Sequence, residues 1–268
     1  MSLRAYWSGT LQVGLLALPV KLYGAAASHD TRFRLLHGVC ETPIAQVRRC
    51  EACQRDVAFD ELVKGVEVQR DTRGKPSRFV VVTDREMDAL PLPTAGAIVL
   101  DGFLPEGVGI PAVLREKTVY LGPDEKAGRP YALLHRALFD GNRLGLGKVA
   151  IRGREHLVAV EPWGLTLVLS QLYFADEIKD ALEVPDLPVG EEFRAEELAL
   201  ARQVIEALTL QQKTWADFTD ASGEALAGLI EAKRQGLPVG ERVEPVLTGD
   251  IMAALRASLE RARKEQVA

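Results

Sequence analysis

The three cysteines of the chain and one of its four histidines are spaced His37-x2-Cys40-x9-Cys50-x2-Cys53. Thiolates and an imidazole in two x2 pairs suit a tetrahedral zinc ion. Each short pair presents two ligands from one tight turn, and the stretch between folds back to bring the pairs together. The expected ligand set is His37, Cys40, Cys50 and Cys53, holding one structural zinc per chain. No glutamate base accompanies it, and the ion would stabilise a segment with little core of its own. Two other readings stay open beside it: idle thiols with an unrelated histidine, and a redox Cys50-x2-Cys53 pair. The redox pair ordinarily opens a helix after a strand, a pattern not read here. Gln54 also stands where a zinc knuckle often carries glycine. An odd cysteine count fits a reducing compartment.

Other chemistry is scarce. Gly145-Leu146-Gly147-Lys148-Val149 falls short of a phosphate loop, because Asn142 stands where the first glycine is needed and Val149 where Ser or Thr is needed. No G-x-S-x-G, H-E-x-x-H or convergent carboxylate pair is present. His29, His135 and His156 stand alone and read as surface or packing residues. Trp7, Trp163 and Trp215 read as core or interface anchors. An enzyme is disfavoured.

The formal net charge of −5 argues against a nucleic-acid partner until it is divided along the chain. Residues 1–175 hold 22 Lys/Arg against 19 Asp/Glu, and residues 176–268 hold 11 against 19. Between residues 31 and 78 lie Arg32, Arg34, Arg48, Arg49, Arg55, Lys64, Arg70, Arg73, Lys75 and Arg78. Arginine dominates this set, which suits phosphate oxygens. On composition alone a solvated face is the more economical reading.

The elements that must position these groups change character along the chain. Residues 4–23 alternate like one strand, broken by Pro19, and read as the start of a folded body rather than a signal peptide. Residues 31–70 look like hairpins or a small metal-pinned subdomain. Strands are expected at 79–82, 97–100, 117–121, 147–152, 156–160 and 165–173, with a helix at about 131–140. Thr83 and Glu86 form a capping-box pair for a short helix at 84–90. Many strands with Gly/Pro turns point to a barrel or sandwich. After the linker-like 184–190, three amphipathic helices are expected at 191–208, 222–236 and 249–266. No internal repeat is evident, and no apolar run is long enough to cross a membrane.

Several blocks in order then resemble a known family. WSGTLQVGLLALPVKLYGA (7–25), LLH…C…RRCEACQRDV, ELVKGVEV (61–68), RFVVVTDREMDAL (78–90), YALLHRAL (131–138), KVAIRGREHLVAVEPWG (148–164), LYFADEIKD (172–180) and LIEAKRQG (229–236) are similar to bacterial Ku, the DNA-end-binding family of non-homologous end joining. The resemblance implies a mainly β fold with α elements. A β-barrel core would span 1–183 and include a bridge with the zinc site at about 31–75. A dimerising helical arm would span 184–245, and a short C-terminal helix or tail 246–268.

It further implies a non-enzymatic homodimeric ring that threads onto double-stranded DNA ends in double-strand-break repair and recruits the ATP-dependent DNA ligase D. The setting would be the cytoplasm, at the nucleoid. Some family members carry a Cys/His site that the four zinc candidates match. A ring that accepts any end contacts phosphates rather than bases, so basic charge is needed only on its inner wall. The DNA-facing candidates are Arg32, Arg34, Arg48, Arg49, Lys64, Arg70, Arg73, Lys75 and Arg78, with Arg152 and Arg154 from the barrel. The ending SLERARKEQVA departs from the lysine-rich tail of many bacterial members, so the last helix is expected to pack on the arm or bind a partner. A zinc-pinned interaction module without DNA binding is the alternative, and a metal-dependent enzyme a third.

Overall fold

The structure is a computed structural model that describes residues 3–27, 31–70, 76–105, 108–151, 153–188, 190–210, 214–236 and 251–267. The side chains of Arg70, Pro76, Ser77, Asp88, Ile251 and residues 262–267 lie outside the description. So do four residues singled out above: His29, Arg73, Lys75 and Arg152. The chain divides into two compact units, Met1–Ser28 with Arg34–Ala181, and His29–Phe33 with Leu182–Ala268.

In the first unit, β1 (Ala5–Val13), β2 (Leu16–Gly24), β7 (Ala97–Leu104), β8 (Arg115–Pro123), β9 (Leu144–Ile151), β10 (Arg154–Trp163) and β11 (Thr166–Leu172) close into a barrel. The order around it is β1-β2-β8-β11-β10-β9-β7, antiparallel except for the β1–β7 pair that closes it. Alternate residues point inward. Leu11, Leu18, Val20, Leu22, Ile98, Val119, Leu121, Val149, Val158, Val160, Leu167 and Leu169 are all buried there. Each contributes about 1.5–3 kcal/mol by leaving water.

The single strand expected over residues 4–23 is instead the β1–β2 hairpin. Gly14, with φ at +57°, and Leu15 form its two-residue turn. Gly14 accepts the left-handed conformation without a Cβ clash, so the chain reverses inside what reads as one alternating run. Leu15 points into solvent at the tip. The glycines of the rejected phosphate loop have a structural role in β9. A Cβ on Gly147 would lie 2.0 Å from Val99 O, so glycine permits the close approach of β7 and β9 at the irregular step between Leu100 and Gly102.

Helix α2 (Gly128–Asp140) closes one end of the barrel by burying Tyr131, Leu134 and Leu138. The Tyr131 hydroxyl donates to Leu121 O at 2.7 Å and accepts from Leu167 N at 2.7 Å. The remaining strands stand outside the barrel as two small sheets, β3 (Arg49–Cys50) with β4 (Arg55–Asp56), and β5 (Lys64–Arg70) with β6 (Pro76–Val82). The β5–β6 ribbon exposes Val66, Val68, Phe79, Val80 and Val81 on both of its faces. It leads into α1 (Asp84–Asp88), where the Thr83–Glu86 capping box forms as the spacing predicts. The Glu86 carboxyl, accepting from the Thr83 amide and then the Thr83 hydroxyl, is held below its ordinary pKa.

The second unit holds α3 (Ala195–Ala207), α4 (Ala221–Arg234) and α5 (Ile251–Val267). The last helix packs on α3, with Leu259 and Val204 buried. No residue of α4 is buried, and Trp215 is 85% exposed. Trp163 of β10 is 62% exposed, so neither tryptophan is a core residue. Trp7 does pack against the barrel core. Among the described residues no helix is long and apolar enough to cross a membrane.

Candidate nucleic-acid interface and metal centre

The cysteine–histidine segment contains a structural repeat that its sequence conceals. In the first copy Leu36 bridges Pro43, His37 N donates to Thr42 O at 2.9 Å, and Ile44 N donates to Leu35 O at 3.1 Å. In the second, Arg49 pairs with Asp56, Cys50 pairs with Arg55, and Val57 N donates to Arg48 O at 2.7 Å. Every position of the first hairpin maps onto the second at one constant offset. His37 corresponds to Cys50, Cys40 to Cys53, and Glu41 to Gln54. Glu41 and Gln54 are both left-handed, with φ at +53° and +50°. The absence of an internal repeat, read from residue identities, is thus corrected at the level of the backbone.

Each hairpin brings its own two candidate ligands together. His37 Nδ1 lies 3.0 Å from Cys40 Sγ, and Cys53 N lies 3.5 Å from Cys50 Sγ. The Cys40 thiol is lowered to about 7, chiefly by the Thr42 hydroxyl and then by His37. The Cys50 thiol is lowered, first by the Cys53 amide, while Cys53 is raised by the neighbouring Cys50. These conditions favour a thiolate on one cysteine of each hairpin, the form that ligates metals. Among the described residues the two pairs do not merge into a group of three or more metal-ligating side chains. The donor chemistry suits zinc, and each hairpin holds one pair of candidate ligands.

The basic candidates separate by what already holds them. Arg48 lies over the Phe59 ring, 5.2 Å from its centroid. Arg49 pairs with Asp56 at 3.6 Å and donates to Gln54 O at 2.7 Å, so it braces the second knuckle. Lys64 pairs with Asp84 at 2.5 Å, and Arg154 with Glu177 at 2.6 Å. Arg55 is held by both oxygens of Glu61. Arg34 and Arg78 are exposed and have no ion-pair partner among the described residues; Arg32 is also exposed and belongs to the second unit. Arg70 is on β5 with its side chain outside the description. Phe59 as the support of Arg48 carried no signal in the sequence.

A family model described as the Ku70/Ku80 β-barrel domain matches residues 12–200. The non-homologous end joining protein Ku of Archaeoglobus fulgidus is 35% identical over 261 residues, covering 96% of this chain and 99% of that protein. The protein of the same name from Heliobacterium modesticaldum is 33% identical over 269 residues, covering 99% of this chain and 95% of its own. That of Streptomyces avermitilis is 35% identical over 265 residues, covering 97% and 80%.

Proposed function

The chain belongs to the Ku family, and from that premise we propose that it is a non-enzymatic homodimer that encircles double-stranded DNA ends without reading their sequence. The observation that carries the reading is similarity along nearly the whole chain to proteins named for non-homologous end joining. Two local features support it. Arg34 and Arg78 present guanidinium groups with no ion-pair partner among the described residues, and such groups bond phosphate oxygens well. The β5–β6 ribbon carries apolar side chains on both faces, and an isolated two-stranded ribbon is marginal in water. A second copy of the chain would cover it.

In this reading the two knuckles close on one zinc ion through His37, Cys40, Cys50 and Cys53. Zinc would supply a cross-link that fixes the bridge hairpins. The protein works at the nucleoid in the cytoplasm and hands the held end to the ATP-dependent ligase D, since it has no chemistry of its own to seal it. A gel-shift titration of a linear duplex against a covalently closed circle of the same sequence tests the reading. The linear form should bind and the circle should not. Equal affinity for both at matched salt would rule out threading. Retention of ligase D with no shift of any DNA would favour the interaction-module alternative.

A further inference from the structure

The two ends of the barrel are built differently. Helix α2 plugs one. At the other, where β1, β8 and β10 begin and β9 and β11 end, the wall opens into a cavity of about 600 Å³. This is within the roughly 300–1,000 Å³ range of small-molecule sites, and barrel mouths are a common place for them.

The lining combines three kinds of group. Tyr6 and Trp7 of β1 supply aromatic surface. Lys117 of β8 and Arg154 of β10 supply positive charge, and among the described residues no carboxylate lines the cavity. Gln171 of β11 and His156 of β10 add groups that both donate and accept hydrogen bonds. Lys117 is held over the Tyr6 ring, 5.5 Å from its centroid, and has no acidic partner among the described residues. Arg154 is oriented from outside through the 2.6 Å bond from its Nη2 to Glu177 Oε1. That carboxylate is itself anchored, because Glu177 Oε2 accepts from Phe174 N at 2.9 Å. The bond uses one of the five N–H groups of the guanidinium and leaves the others to face an anion.

We propose that this mouth is a binding site for a phosphorylated nucleotide. The base lies against Trp7 and Tyr6, and the phosphate sits between Lys117 and Arg154. A nucleobase fits better than a phosphorylated phenol ring, because Gln171 and His156 match the donors and acceptors on a heterocycle edge and have no counterpart on a phenol. Stacking on aromatic side chains tolerates any base. The site stands on the mouth alone and does not depend on the ring reading. The same chemistry is offered by a free nucleotide and by the phosphorylated terminus of a strand.

Calorimetry of the full chain tests it with thymidine 5′-monophosphate, thymidine and inorganic phosphate. The monophosphate should bind once per chain, and the nucleoside and the phosphate alone should each bind about tenfold more weakly or worse. Lys117→Gln should weaken monophosphate binding by about tenfold, the loss of one charge-assisted contact. Lys117→Arg should restore it, and both variants should keep binding of a duplex end that carries no terminal phosphate. A monophosphate that binds no tighter than phosphate, or equally to Lys117→Gln, overturns the proposal and leaves the DNA-end reading untouched. Competition by a 5′-phosphorylated pentathymidylate, and not by its unphosphorylated form, assigns a strand terminus as the source. Binding of the free monophosphate without that competition assigns the nucleotide pool.

Discussion

Glu41 and Gln54 occupy the same position in two successive hairpins, each directly after a cysteine and each in the left-handed region, at φ +53° and +50°. That conformation costs a residue with a Cβ about 1–2 kcal/mol, and glycine relieves it at an unfolded-state cost of about 0.5–1 kcal/mol. The two sites should respond differently. Gln54 Nε2 donates to Glu51 O at 2.6 Å, and glycine would remove this bond. Glu41→Gly should therefore stabilise the protein by about 0.5 kcal/mol, and Gln54→Gly should be close to neutral. Chemical denaturation of each variant measures the difference.

Zinc content tests the proposal that the two hairpins close on one ion. Purified protein should contain one zinc per chain by elemental analysis. Cys50→Ser and Cys40→Ser should each lower occupancy, because either change leaves one knuckle with a single ligand of the usual kind. A chelator should lower the melting temperature of the wild-type chain and leave that of the Cys50→Ser variant almost unmoved. Wild-type protein that is free of zinc after purification in metal-replete medium would remove the ion from the account.

Tyr131 should be worth more than its ring. Its hydroxyl bonds Leu121 O, Leu167 N and the Thr166 hydroxyl where α2 meets the barrel end. Tyr131→Phe keeps the packing and strands the buried Leu167 amide, at about 1–3 kcal/mol. The expected drop in melting temperature is a few degrees, with DNA binding at low temperature unchanged. A variant as stable as wild type would show that water replaces the hydroxyl.

The barrel was largely legible because its strands alternate. Val119 and Leu121, Val158 and Val160, and Leu167 and Leu169 are period-two pairs that point into one core. The β1–β2 reversal was not, because Leu15 carries the β1 alternation one step past the turn and so masks the change of phase from Leu11 and Val13 to Leu18, Val20 and Leu22. The knuckle repeat was hidden for another reason. Its two copies share backbone hydrogen bonds and the x2 spacing, but hardly any side chains, and neither left-handed position is glycine. The barrel mouth draws Trp7, Lys117, Arg154 and Gln171 from four strands far apart in sequence, so no local motif could announce it. The capping box at Thr83 and Glu86 was readable because both partners lie within one helical turn.

Salt dependence separates committed from uncommitted arginines. Arg78→Ala should weaken duplex-end binding to a similar degree for every sequence. It should also lower the slope of log affinity against log salt by about 0.9 if one phosphate contact is lost. Arg55→Ala is the control, since Arg55 is already held by both oxygens of Glu61. It should change the slope little. Identical slopes for Arg78→Ala and wild type would take Arg78 off the DNA path.

The β5–β6 ribbon tests the dimer directly. Val66 lies opposite Val80, and Phe79 opposite Glu67, so apolar groups emerge on both faces, and among the described residues neither strand pairs with a third. An isolated ribbon of this kind invites pairing with another chain. If a second copy covers it, Val66→Lys with Val80→Lys should shift the protein from dimer to monomer in analytical ultracentrifugation. The barrel should keep its melting transition, because neither residue belongs to its core. End binding should fall with the dimer, since a single copy cannot close a ring. A double variant that stays dimeric and binds ends normally would place the subunit interface elsewhere and leave the apolar ribbon for a different partner.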